Sequence, residues 1–167
     1  MATLILRPVS DESLGHSCSS GSSGYAMISE SSSDDDSTYI YQTVSSTSSA
    51  SVTSSFTLGG IMPSGSFKIT GATLYVRGKS SANHTYSGTY QLSIDSSASS
   101  MSLSTSYQTS SSTGVATSLI NNTYTSSTFP SLSVIISTTG SKESSKNSNY
   151  QIRITQAYLE LEYEVVT

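Results

Sequence analysis

Tryptophan is absent and cysteine occurs once, at Cys18. A single thiol excludes an intramolecular disulfide framework and a zinc site built from cysteines. Positive charge is scarce too. Lys+Arg number 7 against 11 Asp+Glu, a formal net charge of −4, and the basic residues are scattered rather than clustered as in a nucleic-acid binder. No apolar run approaches the ~18 residues of a membrane span. Residues 1–6 are too short for a secretory signal before Arg7-Pro8 interrupts them. Neither nucleic acid nor a membrane is therefore expected as a partner. Strong helix formers are sparse as well, which weighs against a helical fold.

What is abundant is the small hydroxyl side chain. The chain of 167 residues holds 45 Ser and 21 Thr, about two-fifths of the total. Leu, Ile, Val and Phe make up only about a fifth, at the edge where chains stop folding. Disorder also needs strong net charge, however, which is missing here. The 11 Tyr and 4 Met extend the apolar inventory, and the length fits a single domain over 1–167.

β-branched and aromatic residues gather in short runs between Ser/Gly-rich breaks, and their spacing is two. Val52, Ser54, Phe56 and Leu58 share a parity, as do Ala72, Leu74 and Val76, then Tyr90, Leu92 and Ile94, then Leu132, Val134 and Ile136. Each set predicts a strand with one buried face. Further strands are expected at 3–9, 25–30, 38–44 and 101–103, around a flexible Ser/Gly-rich loop at 10–24. In the last run Ile152 and Ile154 are even whereas Leu159, Leu161, Tyr163 and Val165 are odd. A parity change inside one strand predicts a β-bulge, near 155–157. Val115, Leu119 and Ile120 at helical spacing allow at most one short helix, near 113–122. The expected fold is an all-β antiparallel sandwich, jelly-roll-like, of about nine or ten strands. A parallel sheet would need helical crossovers that this sequence does not supply.

Candidate chemistry is thin. A Ser–His–acid triad needs a histidine, and only His16 and His84 exist, both in polar stretches and both read as solvent-exposed. With so many serines, a Ser near a His carries little weight, and the pattern G-x-S-x-G is absent. Asp34, Asp35 and Asp36 form the densest charge cluster. They read first as a solvated loop, and second as a calcium site, since calcium takes six to eight oxygens. Glu160, Glu162 and Glu164 alternate with Leu159, Leu161 and Tyr163, as on a half-exposed strand, or as charges that blunt a sheet edge. A sugar platform would draw on tyrosines, with Tyr39 and Tyr41 the pair expected to share a face. The glycosylation sequons at Asn83 and Asn121 match chance expectation in so Ser/Thr-rich a chain.

Four stretches carry a resemblance: TLILRPVSD at 3–11, Glu30 through DDDSTYI to residue 40, ITGATLYVRG at 69–78 and RITQAYLELEY at 153–163. In these the chain resembles small jelly-roll virion structural proteins of tailed bacteriophages, of the decoration, head-fibre and tail types. The resemblance implies a non-enzymatic virion protein, assembled in the host cytoplasm and released without a signal peptide. Its expected role is a capsid-decorating or auxiliary subunit that binds the major capsid protein or other virion proteins and forms a homo-oligomer. Loop 10–24 would then be the arm that grips a neighbour, dispensable for the core. The alternative is a receptor- or carbohydrate-binding module of a tail or fibre, taking a host surface glycan. No catalytic or cofactor residue transfers with the resemblance.

Overall fold

The computed structural model describes residues 2–31, 37–80, 85–143 and 148–167. Among them run β1 (Ala2–Ser13), β2 (Ser17–Cys18), α1 (Gly24–Ile28), β3 (Ile40–Val44), β4 (Ala50–Gly59), β5 (Ser66–Ser80), β6 (Thr85–Leu92), β7 (Ser99–Ser100), β8 (Gln108–Ser112), β9 (Thr123–Tyr124), β10 (Ser133–Ser141) and β11 (Tyr150–Val166). All strand pairs are antiparallel.

The pairing is nested. The first strand pairs the last (β1·β11), β4 pairs β10, β5 pairs β8 and β6 pairs β7. Two four-stranded orders result, β1-β11-β5-β8 (sheet A) and β4-β10-β6-β7 (sheet B). This is the order of a jelly roll, and the expected all-β sandwich is the fold observed. Additions decorate it: β2 and β3 extend sheet A beside β11, and β9 pairs the start of β5.

β1 stitches the sheets together. Residues Ala2 to Leu6 pair with β11, whereas Arg7 onward pairs with β4. Pro8, which has no N–H to donate, lies just past the changeover, and the register to β4 shifts immediately after it. The turn after β4 passes so close that a Cβ on Gly60 would stand 2.6 Å from the Ile5 carbonyl oxygen. Only glycine fits there.

Between the sheets lies one continuous core from Leu4 to Leu161, including Phe56, Phe67, Leu74, Tyr90, Ile136 and Leu159. Each such side chain contributes about 1.5–3 kcal/mol by leaving water. Phe67 anchors an aromatic end-plug, with Tyr124, Phe129 and Tyr163 at centroid distances of 6.5, 6.0 and 5.9 Å. The outer face of sheet B is coated with hydroxyls. Ser51 and Thr139 bond across strands at 2.7 Å, and Thr53 and Ser137 at 2.8 Å.

The bulge expected near 155–157 is present: Ile154 pairs Gly78 while Gln156 pairs Arg77, leaving Thr155 as the extra residue. Its purpose is visible in its bonds. Thr155 donates to the Thr38 carbonyl at 2.8 Å and Gln156 donates to the Glu30 carbonyl at 2.9 Å. The bulge thus turns two consecutive side chains toward the segment entering β3.

Two local expectations are corrected. Residues 25–30 were expected as strand, yet the helix among the described residues is α1, at Gly24–Ile28. Asp11 of β1 decides this, because its two carboxylate oxygens accept the Gly24 and Tyr25 amides at 3.0 and 2.7 Å. A tertiary carboxylate does the work that an N-cap side chain would do locally. Residues 113–122, the expected helix, instead form successive tight turns closed by Leu119 N–H to Ala116 O and Ile120 N–H to Thr117 O. Ala116 sits at φ 53 and Asn121 at φ 66, left-handed conformations that stop a helix from propagating.

The loop expected at 10–24 is corrected as well. Its first residues belong to β1, Asp11 caps α1, Ser17 and Cys18 form β2, and His16 is buried. It is a pinned segment, not a free arm. A chain lacking residues 1–24 would lose the strand that joins both sheets, together with Leu4 and Leu6 from the core. We expect it to show no cooperative thermal transition by circular dichroism; a cooperative transition would contradict this account of β1.

Candidate functional site

Charge on this acidic chain is not spread evenly. On β5 the core takes Ala72, Leu74 and Val76, so Thr73, Tyr75, Arg77 and Lys79 face outward. On β11 the outward set is Arg153, Tyr158, Glu160 and Glu162, and on β1 it includes Arg7. All three arginines of the chain, Lys79 and five of its tyrosines therefore meet on the outer face of sheet A, which is the candidate site.

The contacts there are specific. Tyr75 and Tyr158, directly opposite in the β5·β11 register, stack at 4.7 Å and 17°. The Arg7 guanidinium lies 5.1 Å from the Tyr158 ring centre and also donates to the Glu30 carbonyl at 3.0 Å. Arg153 stands 4.4 Å from the Tyr39 ring, whose neighbour Tyr41 is 5.8 Å away. Arg77 and Lys79 flank the Tyr107 ring at 5.4 and 5.0 Å. Such contacts are worth about 0.5–1 kcal/mol each at exposed sites, and they hold the cations in fixed places. Burial and the neighbouring Tyr75 raise the Tyr158 hydroxyl above its ordinary pKa, so it stays protonated. Chemically the face offers aromatic rings, guanidinium edges and carboxylates to a partner.

The predicted pair Tyr39 and Tyr41 does share this face. The three glutamates are on β11, and Glu162 and Glu164 are exposed, as a solvated strand requires. They do not guard an edge, because β11 is flanked by β1 and β3 on one side and β5 on the other. Asp34, Asp35 and Asp36, the expected calcium ligands, lie outside the described residues, as does His84. Among the described residues no three His, Cys, Asp or Glu side chains converge on a metal position, and no helix is long and apolar enough to cross a membrane.

His16 overturns the solvent-exposed reading, with only 4% of its surface exposed. Its tautomer follows from its neighbours. Gln42 donates its amide N–H to the Ala50 carbonyl at 2.9 Å, which turns its Oε1 toward Thr138 to accept that hydroxyl at 2.7 Å. Thr138 Oγ1 can then only accept from His16 Nε2–H, at 2.9 Å. The other nitrogen, Nδ1, accepts the Ser54 hydroxyl at 2.7 Å, and Ser54 Oγ in turn accepts the Gly15 and His16 amides at 3.0 Å each. Every bond in the chain is used once, with the imidazole neutral. This Ser–His contact is sealed in the interior, with Ser54 and Thr138 at 0% exposure, so it braces the sheets and reaches no substrate. Burial pulls the His16 pKa from 6.5 down to about 4.

One cleft of about 260 Å³ lies between the turns at 94–99 and 114–117. Its one carboxylate, Asp95, is already spent on the Ala116 amide at 3.0 and 3.1 Å. That pairing holds the left-handed Ala116 in place.

The arginine–tyrosine face was partly legible in the sequence, because Arg77 and Arg153 fall on the parity opposite the core residues. Only the β3-β11-β5 register reveals that they are neighbours. No signal marked His16, whose partners lie 38 and 122 residues away among many equivalent hydroxyls.

Because the unfolded chain binds a proton at His16 below pH 6.5 and the folded one only below about 4, stability should fall as pH drops through that window. The loss should total about 3 kcal/mol and level off below it. Urea titrations between pH 3.5 and 7.5 check this, with His16→Ala as the reference that lacks this component of the slope. The variant should also be less stable at pH 7, by about 2–3 kcal/mol, since Ser54 and Thr138 lose buried partners.

No protein-family model matches this chain, and no curated protein matches it significantly.

Proposed function

We propose that the chain is a non-enzymatic structural protein of a bacteriophage virion, a capsid-decorating or auxiliary subunit. It would bind the particle surface, with the major capsid protein as its partner. The observation that carries this reading is the outer face of sheet A, where all three arginines and five tyrosines gather on a chain of net charge −4. Tyr and Arg are enriched among the residues that dominate protein–protein contacts, because they combine large contact area with hydrogen-bonding groups. The jelly-roll order and the strand motifs that resemble phage virion proteins support the placement in a particle.

A second reading, a glycan-binding module of a tail or fibre, is favoured by one feature. Tyr39 and Tyr41 lie side by side with Arg153 on the first ring, a small aromatic surface next to a cation. The aspartates at 34–36 would supply calcium ligands in that case.

Both readings can be tested directly. Purified particles of the encoding phage should contain the chain as a stoichiometric component, and added chain should co-sediment with particles that lack it. Arg77→Glu combined with Lys79→Glu should reduce that co-sedimentation at least about tenfold without changing the circular dichroism spectrum. Absence of the chain from particles would remove the virion reading. Chelator-sensitive binding on an array of host surface polysaccharides would establish the glycan reading instead.

A further inference from the structure

The outer face of sheet A has an internal order beyond its composition. Take the stacked pair Tyr75–Tyr158 as origin. Four residues along β5 in one direction is Lys79, paired with Arg153; four in the other is Gly71, paired with Glu162. Arg153 is also opposite Tyr41 of β3, and Glu162 is opposite Thr3 of β1. Two residues from the origin, Arg77 lies on the cationic side and Thr73, paired with Glu160, on the acidic side. The Thr155 bulge matters here, because it removes one step of β11 and so makes Arg153 and Glu162 equidistant from the tyrosines. The face is therefore bipolar about its aromatic centre as far as Glu162, beyond which Glu164 and Lys68 stand opposite each other as a mixed pair.

The position of Glu162 sharpens this. A Cβ on Gly71 would come within 2.7 Å of Glu162 Oε2, so the carboxylate leans across the gap between β11 and β5. At the other end of the face, Arg153 and Lys79 are cross-strand neighbours on the two sides of that gap, their charged ends resting on Tyr39 and Tyr107.

We infer that this face binds a second copy of the chain, stacked sheet A on sheet A about a two-fold axis that runs across the strands through Tyr75 and Tyr158. This rests on reading the face as the assembly surface and puts a second copy on it. The dimer then meets the capsid protein by another surface, so that Arg77→Glu with Lys79→Glu would reduce co-sedimentation through loss of the dimer. Under that rotation each column of residues meets itself in reverse. The tyrosines of one copy meet those of the other at the centre, and the Glu162 carboxylate of each copy falls between Arg153 and Lys79 of its partner. A two-fold contact must be self-complementary, and a bipolar face with central aromatics meets that condition. A partner of uniform charge would confront like charge over half of the face. Inside a particle, the pair would be the unit that is added.

Static light scattering and sedimentation velocity on the full chain test the inference. The wild type should weigh about twice its 17.5 kDa. Arg153→Glu and Glu162→Arg should each weaken self-association about 100-fold, because each places like charges together twice. The double variant Arg153→Glu/Glu162→Arg should restore it, since each reversed charge meets the reversed partner. Lys79→Glu should mimic Arg153→Glu, which guards against loss of the Tyr39 contact as the cause, and circular dichroism verifies folding of each variant. A wild type that remains at 17.5 kDa, single variants that keep the dimer, or a charge swap that fails to restore it would overturn the inference. The virion reading fails separately. A dimer that does not bind particles removes that reading alone, and a monomer that binds particles through this face overturns the inference alone.

Discussion

The ladder between β11 and β5 sets everything else in this molecule. It runs from Ile152·Ser80 to Val166·Ser66, and β11 also carries β3 and β1 along its other side. Because side chains alternate with period two, fixing this one register decides which residues enter the core and which form the outer face. A one-residue slip would expose Leu159 and Leu161 and bury Glu160 and Glu162, at a cost no local interaction could offset. The bulge at Thr155 is compatible with this because the strand changes parity there on purpose. Upstream of it Ile152 and Ile154 face inward, downstream Ala157, Leu159 and Leu161 do, and the extra residue is spent on holding the segment that leads into β3.

The buried chain from Gln42 through Thr138 and His16 to Ser54 acts at right angles to that ladder. Gln42 belongs to sheet A, Thr138 and Ser54 to sheet B, and His16 to the segment between β1 and β2. Four polar side chains in a buried site would be costly if they lacked partners. Here Gln42 Oε1, the Thr138 and Ser54 hydroxyls and both His16 ring nitrogens are each bonded to a stated atom. Such a network adds little net stability over an apolar filling, yet it tolerates only one relative placement of the sheets. A lean core of Leu, Ile and Val, which packs well in several registers, benefits from that discrimination. The helix α1 is specified the same way, by a carboxylate from β1 rather than by its own residues.

These two cases mark where sequence reading stops. The strands at 51–58, 67–78 and 150–165, the bulge and the sandwich were legible because period-two burial is a local pattern that hydroxyl residues do not obscure. The helix at Gly24–Ile28 was not, since Tyr25 and Ile28 favour strands and Asp11 is thirteen residues from Gly24. Residues 113–122 showed helical spacing but lacked the information that Ala116 and Asn121 adopt positive φ. Of the candidate site, the Tyr39–Tyr41 pair was readable from two-residue spacing. The convergence of Arg7, Arg77 and Arg153 was not, because it depends on which strands are neighbours across 146 residues of chain.

The two outer faces finally explain the composition. On sheet B the hydroxyls bond to each other across strands, as Ser51 does with Thr139 and Thr53 with Ser137. They meet water without presenting fixed charge or large apolar area, so that face has little to recognise and little tendency to aggregate. Sheet A keeps the opposite inventory, aromatic rings under cations with carboxylates at one end. Had Ser and Thr been replaced by the usual surface Lys and Glu, charges on both faces would compete for any charged partner. A sparsely charged coat on sheet B, where Glu12 is held by the hydroxyls of Ser55 and Ser133, lets a handful of residues on the other face set the direction of assembly. The scarcity of charge in the chain is thus the condition under which Arg153, Lys79 and Glu162 can be specific.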